Sequence, residues 1–320
     1  MRITRRKVLL LTGGSLVFPA RISRAQGYPN RPVRIICGFP PGGPADIAAR
    51  LSAGWLSGRL NQSFFVENRP GAASNVATEA VAKAVPDGYT FLLTTTTNAI
   101  NATYYAGLKF DFSRDIVPIA GIVTVPNVML VNSNLPVNTP ADFIDYAKTR
   151  AGKINMGSGG AGTASHMTGE LFNMMAGLNM THVPYHGTAL ALADLMRGDL
   201  QVVFDAVSSS IGFIKANKIR AVAVTGARRI EALPNIQTVG ETLRGYEATV
   251  WQGLGAPKGT PQQVISVINV AMNAAFLDAA FKAKLTEFGG TALAGSPVEF
   301  SAFTANEIKK WQSVVDFTGR

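Results

Sequence analysis

One cysteine, Cys37, and three histidines, His166, His182 and His186, are all that this 320-residue chain offers of thiol and imidazole groups. A single cysteine excludes an intramolecular disulfide. His182 and His186 are four apart, but Pro184 between them forbids a helical pair. On an extended strand they would lie ~13 Å apart, too far to share one ion. Metal binding is therefore not expected, and no cofactor is implied. Paired carboxylates are missing from the glycine-rich turns, and Ser158, in MGSG, lacks the G-x-S-x-G spacing of a nucleophile elbow. Ser165 and His166 are adjacent, and neighbours on a helix point in different directions. Catalytic chemistry is scarce.

Charge is also sparse, at 16% of residues, and uneven. The formal net charge is +10, yet residues 1–25 hold Arg2, Arg5, Arg6, Lys7, Arg21 and Arg24 and no acid. The rest carries 24 basic against 20 acidic residues, so nucleic acid is not an expected partner. That leader has a basic start, an apolar middle and a small-x-small end at Ser23-Arg24-Ala25, the pattern of a cleavable export signal at 1–25. Thr4-Arg5-Arg6-Lys7-Val8-Leu9 resembles a twin-arginine signal, with the general secretory route as the alternative. Between Lys7 and Arg21 stand 13 uncharged residues, too few to span a bilayer. A soluble periplasmic protein is expected, its lone Cys37 buried in a strand and its core large enough to need no staples.

Beyond the leader, short β-branched or aromatic runs alternate with helical patterns. VRIICGF, SFFVEN, YTFLLTTT, NVMLVNS, KINMGS, THVPYH, LQVVFDAV, IRAVAVTG and TVWQGLGAP read as strands. IAARLSAGWLSGRL, NVATEAVAKAV, ADFIDYAKTR, ASHMTGELFNMMA and ALALADLMRG carry apolar residues at helical spacing. The alternation predicts an α/β fold with largely parallel sheets. From Pro261 onward the chain reads as helical throughout.

Two stretches echo each other. VRIICGFPPGGPADIAARL and KINMGSGGAGTASHMTGELF are each a strand, a glycine-rich turn and a helix. Each would present a helix N-terminus with unpaired N–H groups, a ready anion site. Gly157 to Gly162 also fits G-x-G-x-x-G, but the following strand ends in Tyr185-His186 rather than an acid, which argues against a dinucleotide. His166, opening its helix, is either a ligand contact or a surface histidine. Thr94 to Thr97 read as the end of a strand facing a cleft. Asp205 ends another strand, either capping the helix at Ser208–Ser210 or accepting a bond from a ligand.

With those residues in view, YPNRPVRIICGFPPGGPADIAARL, VENRPGAASNVATEAVAKAVPDGYTFLL, HVPYHG, DLQVVFD, IRAVAVTGARR and WQGLGAPKGTP resemble the Bug-type receptors of tripartite tricarboxylate transporters. The resemblance runs from about Tyr28 to the C-terminus. It implies a two-lobed, Venus-flytrap periplasmic binding protein without enzymatic activity, a monomer that hands a small carboxylate, a dicarboxylate or an aromatic acid, to a two-component membrane permease. It implies lobe 1 at 26–125 and 250–320 and lobe 2 at 126–249. Carried over residue by residue, the ligand loops hold Phe39, Pro40, Gly42, Gly43, Ala45 and Asp46, then Ser158, Gly159, Gly162, Thr163, Ala164 and His166. Thr95, Thr96, Thr97, Tyr185 and Asp205 complete the implied pocket. Pro44-Ala45 stands where a small residue and a hydroxyl are usual, and His186 stands where the family often has lysine, with no role assigned to it. A receptor that delivers its ligand to a signalling partner, and an exported hydrolase, are the alternatives.

Overall fold

The computed structural model describes residues 27–287 and 289–319, so the leader lies outside the described residues. In chain order the strands are β1 (Val33–Cys37), β2 (Phe64–Asn68), β3 (Thr90–Thr95), β4 (Ile116–Asn132), β5 (Asn155–Ser158), β6 (Thr181–Pro184), β7 (Val202–Ala206), β8 (Ile219–Val224), β9 (Thr249–Pro257) and β10 (Thr291–Ala292). The helices are α1 (Pro44–Leu60), α2 (Asn75–Ala82), α3 (Thr96–Tyr104), α4 (Phe112–Asp115), α5 (Pro140–Lys148), α6 (Ala164–Ala176), α7 (Thr188–Arg197), α8 (Val207–Lys215), α9 (Gln262–Ala275), α10 (Ala279–Glu287) and α11 (Pro297–Phe317).

The fold is a two-lobed α/β architecture built on two sheets. In the first, β2, β1 and β3 run parallel, and β9, β4 and β10 continue it antiparallel. In the second, β6, β5 and β7 run parallel and β4 and β8 complete it antiparallel. Strand β4 belongs to both. Residues 116–126 pair with β9, and from Asn127 onward the same strand pairs with β7 and β8. Largely parallel sheets were expected; the sheets are mixed, because β4 and β9 carry the chain from one sheet to the other and back.

Each sheet is buried by its helices. Val33, Ile35, Phe91, Leu93 and Leu254 pack against Ile268 and Met272 of α9 in the first core. In the second, Met129, Met156, Phe172 and Phe204 pack against Ile100 and Tyr104 of α3 and Trp311, Val314 and Val315 of α11. Helix α11 thus ends on the second core while its Phe300 packs on Trp251 of β9. Glu307 ties the two ends, accepting hydrogen bonds from the indole N–H groups of both Trp251 and Trp311.

The helical tail is not continuous. Helices α9 and α10 meet at 79°, and the Asp278 carboxylate caps the second by accepting from the Phe281 N–H. No single described helix is long and apolar enough to cross a membrane.

Candidate functional site

Parallel strands deliver their C-terminal ends, and the helices that follow, to one place. Helices α1, α3, α6, α7 and α8 follow β1, β3, β5, β6 and β7 directly. Their first residues line a single cavity of about 490 Å³ between the sheets, through Pro44 and Ala45, Thr95 and Thr97, Ala164 and Ser165, Thr188 and Ala189, and Ala206 and Ser209. Five helix N-termini therefore direct partial positive charge into it. No lysine or arginine is among the described lining residues.

The termini are not equivalent. Helix α3 is closed by its own sequence, since Asn98 Oδ1 accepts from the Thr95 N–H at 2.8 Å. In α6 the Ala164 N–H donates to Thr97 Oγ1 at 3.3 Å, a contact between the echoing halves of the fold. Helices α1, α7 and α8 begin after Gly43, Gly187 and Ala206, none of which has a side-chain acceptor to cap a first-turn N–H. Their orphan donors are free to meet something else.

The first turn is held from beneath. Asp46 is almost wholly buried and accepts from the Gly42 N–H, Arg50 Nε and Asn68 Nδ2. Burial alone would raise its pKa, but the bonds from Arg50, Gly42 and Asn68 outweigh it and hold the carboxyl below its ordinary range. Gly42, at φ +82°, makes the reversal that a side chain would strain. Gly38 lets Ser74 sit directly against the turn, since a Cβ there would come within 2.0 Å of Ser74 Oγ.

The second turn is braced by two stacked histidines. His166 Nδ1 accepts from the Gly162 N–H at 3.2 Å, which leaves Nε2 to carry the proton towards Glu170 Oε1 at 3.5 Å. Its ring lies on that of His182, whose Nε2 is 2.6 Å from Ser158 Oγ. Ser158 Oγ in turn accepts from the Gly160 N–H. Burial opposes ionisation of Glu170, but bonds from His166 and Asn173 outweigh it and lower its pKa.

Of the residues singled out from the sequence, Phe39, Pro40, Gly42, Gly43, Ala45, Thr95, Thr97, Gly159, Thr163, Ala164 and Asp205 line the cavity. Asp46, Thr96, Ser158, Gly162, His166 and Tyr185 do not. Thr94 to Thr97 were read as one strand end, but the strand stops at Thr95 and Thr96 opens α3, where its hydroxyl accepts from the Trp251 N–H. Tyr185 turns away because strand-like neighbours alternate sides. Its phenol donates to Asp194, and burial with that carboxylate pushes it up to about 12. His186, the next residue, faces the cavity instead.

Sequence reasoning missed Asn127, Thr188, Ser209, Phe213 and Gln252, which also line the cavity. Thr188 and Ser209 open helices after strands, the same signal that singled out Thr163. Asn127 and Gln252 are polar residues inside the apolar runs of the two crossing strands, and both are buried. Asn127 donates to Thr168 Oγ1, whereas Gln252 Oε1 has no hydrogen-bond partner.

Asp205 is the one acid among the described lining residues. Its carboxylate accepts from Ser209 Oγ at 2.5 Å and is also hydrogen-bonded by Thr188 and by the backbone at Ala206. Burial raises its pKa despite those bonds, because no cation accompanies it. Among the described residues no group of three or more potential ligands is placed to hold a metal ion.

The chain is similar in sequence and fold to known proteins. A model of the tripartite tricarboxylate transporter family receptor matches residues 48–319. The protein BugT of Bordetella pertussis is 31% identical over 100% of this chain and 99% of its own length. An R. palustris protein solved with adipate superposes with a TM-score of 0.86 at 36% identity, covering 91% of this chain and 98% of that one. The periplasmic binding protein BugD gives 0.83 at 30% identity over 91% and 99%. A second protein, MatC of Rhodopseudomonas palustris with bound malate, gives 0.83 at 27% over 90% and 100%. The extent of the family match and the identity over the full chain leave one conclusion: this chain is a member of the Bug-type receptor family of tripartite tricarboxylate transporters.

Proposed function

We propose that this protein is a periplasmic solute-binding receptor that captures a small carboxylate between its lobes and releases it to a two-component membrane permease. The observation that carries the reading is the convergence of five helix N-termini on a cavity with no lysine or arginine among its described lining residues. Such a site binds an anion through backbone N–H groups, with Gly43 and Ala45 as the donors at the first turn, while the Gly159 N–H of the second turn is held by Ser165 Oγ. The relatives solved with adipate and with malate support a carboxylate as that anion. The cavity volume falls within the range usual for small-molecule sites.

Lobe boundaries near 125/126 and 249/250 fit the switch of β4 between sheets and the start of β9. The basic leader suits export through the twin-arginine route, and the permease, like the monomeric state, follows from the family's mode of action. A hydrolytic role is disfavoured by position. Ser158 and His182 are at bonding distance, but Ser158 is wholly buried and outside the cavity, so no scissile group reaches it.

A thermal-shift screen of mono- and dicarboxylates tests the proposal. Ligand at 100 times its dissociation constant adds about 2.7 kcal/mol to stability. The expected result is a raised melting temperature with the ligand recovered unchanged. No shift with any carboxylate, or a ligand consumed during incubation, overturns it.

A further inference from the structure

The anion-binding capacity of the cavity is already partly used by the protein itself. Asp205 is 3% exposed, lines the cavity, and takes its hydrogen bonds from Thr188 and Ser209 and from the backbone at Ala206. Thr188 opens α7, and Ala206 and Ser209 belong to the start of α8. Two hydroxyls at the starts of α7 and α8, with the backbone at Ala206, thus already serve an internal carboxyl.

A second ligand carboxylate would have to settle beside Asp205 with no lysine or arginine among the described lining residues. Two carboxyl groups sharing one buried site without a cation disfavour each other's ionisation. The rest of the wall is of another kind: Phe39, Pro40, Pro41, Leu192, Phe213 and Val250 present apolar surface. A carboxylate group has about four acceptor positions, and Asp205 has three partners among the residues around it. One acceptor position remains for a donor on the ligand.

We infer that the ligand is a monocarboxylate with an apolar body and a hydroxyl or amino donor directed at Asp205, rather than a dicarboxylate. This rests on the carboxylate-receptor reading and narrows it. Asp205 acts as a specificity residue: it rewards a donor and rejects a second anion.

The test is calorimetry on the mature protein with benzoate, the three monohydroxybenzoates, 4-aminobenzoate, adipate and malate. A hydrogen bond to a buried carboxylate contributes enough for about tenfold or more in affinity. At least one hydroxy- or aminobenzoate should bind tenfold tighter than benzoate, and tighter still relative to adipate and malate. In Asp205→Asn that advantage over benzoate should shrink at least tenfold, while the dicarboxylates gain. Adipate or malate binding as tightly as the best benzoate overturns the inference and leaves the carboxylate reading standing. Binding of none of the seven overturns both. The ranking in the unmodified protein decides the matter even where the variant fails to fold.

Discussion

The ring of His166 lies on the ring of His182 with centroids 3.7 Å apart and planes 23° from parallel. Neither ring lines the cavity; together they support the glycine turn that does. His166→Ala would orphan the Gly162 N–H and remove a partner of the buried Glu170 carboxylate. Each such loss costs about 1–3 kcal/mol. The variant should melt well below the parent, whereas His186→Ala, which lines the cavity at an exposed position, should alter affinity and leave melting unchanged. An unaltered melting temperature in His166→Ala would remove the bracing role.

Asp46 makes the first turn sensitive to acid. Its folded pKa is held below the ordinary value of 3.8, so the stability it confers is fully present above that value and disappears as pH falls through the folded one. Asp46→Asn should therefore cost about 1–3 kcal/mol at neutral pH, through weakened bonds to Gly42, Arg50 and Asn68. The gap between parent and variant should close at low pH. Denaturant melts at pH 7 and pH 3 would show it, and a gap of equal size at both would contradict it.

Gly43 separates the loss of a donor from the loss of a shape. Its φ of −82° suits proline, and a Cβ there would meet nothing closer than Pro40 O at 3.8 Å. Gly43→Ala should keep the turn and its N–H and bind normally. Gly43→Pro keeps a compatible φ but deletes the donor, and should weaken carboxylate binding about 10–100-fold. Equal affinity in the two variants would mean that the ligand does not use this N–H.

Three consecutive residues beneath that turn, Ala72, Ala73 and Ser74, have φ of 45°, 49° and 72°. A residue with a Cβ is strained there by about 1–2 kcal/mol. Ala73→Gly relieves it while the Asn101 bond to the Ala73 carbonyl is kept. After the added freedom of the unfolded chain is subtracted, a net gain of about 0.5–1 kcal/mol should remain. Differential scanning calorimetry should register a rise of about 1–3 °C. A fall instead would mean that the alanine methyl does more in packing than its backbone loses in strain.

The elements that build the cavity were mostly legible along the chain. Strand endings such as VRIICG and LQVVFD mark the cleft because β-branched runs stop where a glycine or an acid appears. The four threonines after TFLL hid a boundary, since β-branched residues suit a strand and Asn98 reveals itself as a cap only once the chain has turned. Tyr185 and His186 could not be told apart, because which neighbour faces the cleft depends on the register of β6 against β5. Asn127 and Gln252 needed the topology: their strands become neighbours only when β4 and β9 cross, more than a hundred residues apart in the chain.

The sharing of β4 and the reach of α11 also order events during synthesis. The first core lacks β9 and α9 until residues 249–275 have emerged, and the second lacks Trp311, Val314 and Val315 until the last turns of α11. Neither core can close on the strands laid down first alone: the first waits for α9 and the second for the last turns of α11, so the order of emergence makes the first core the earlier of the two to become complete.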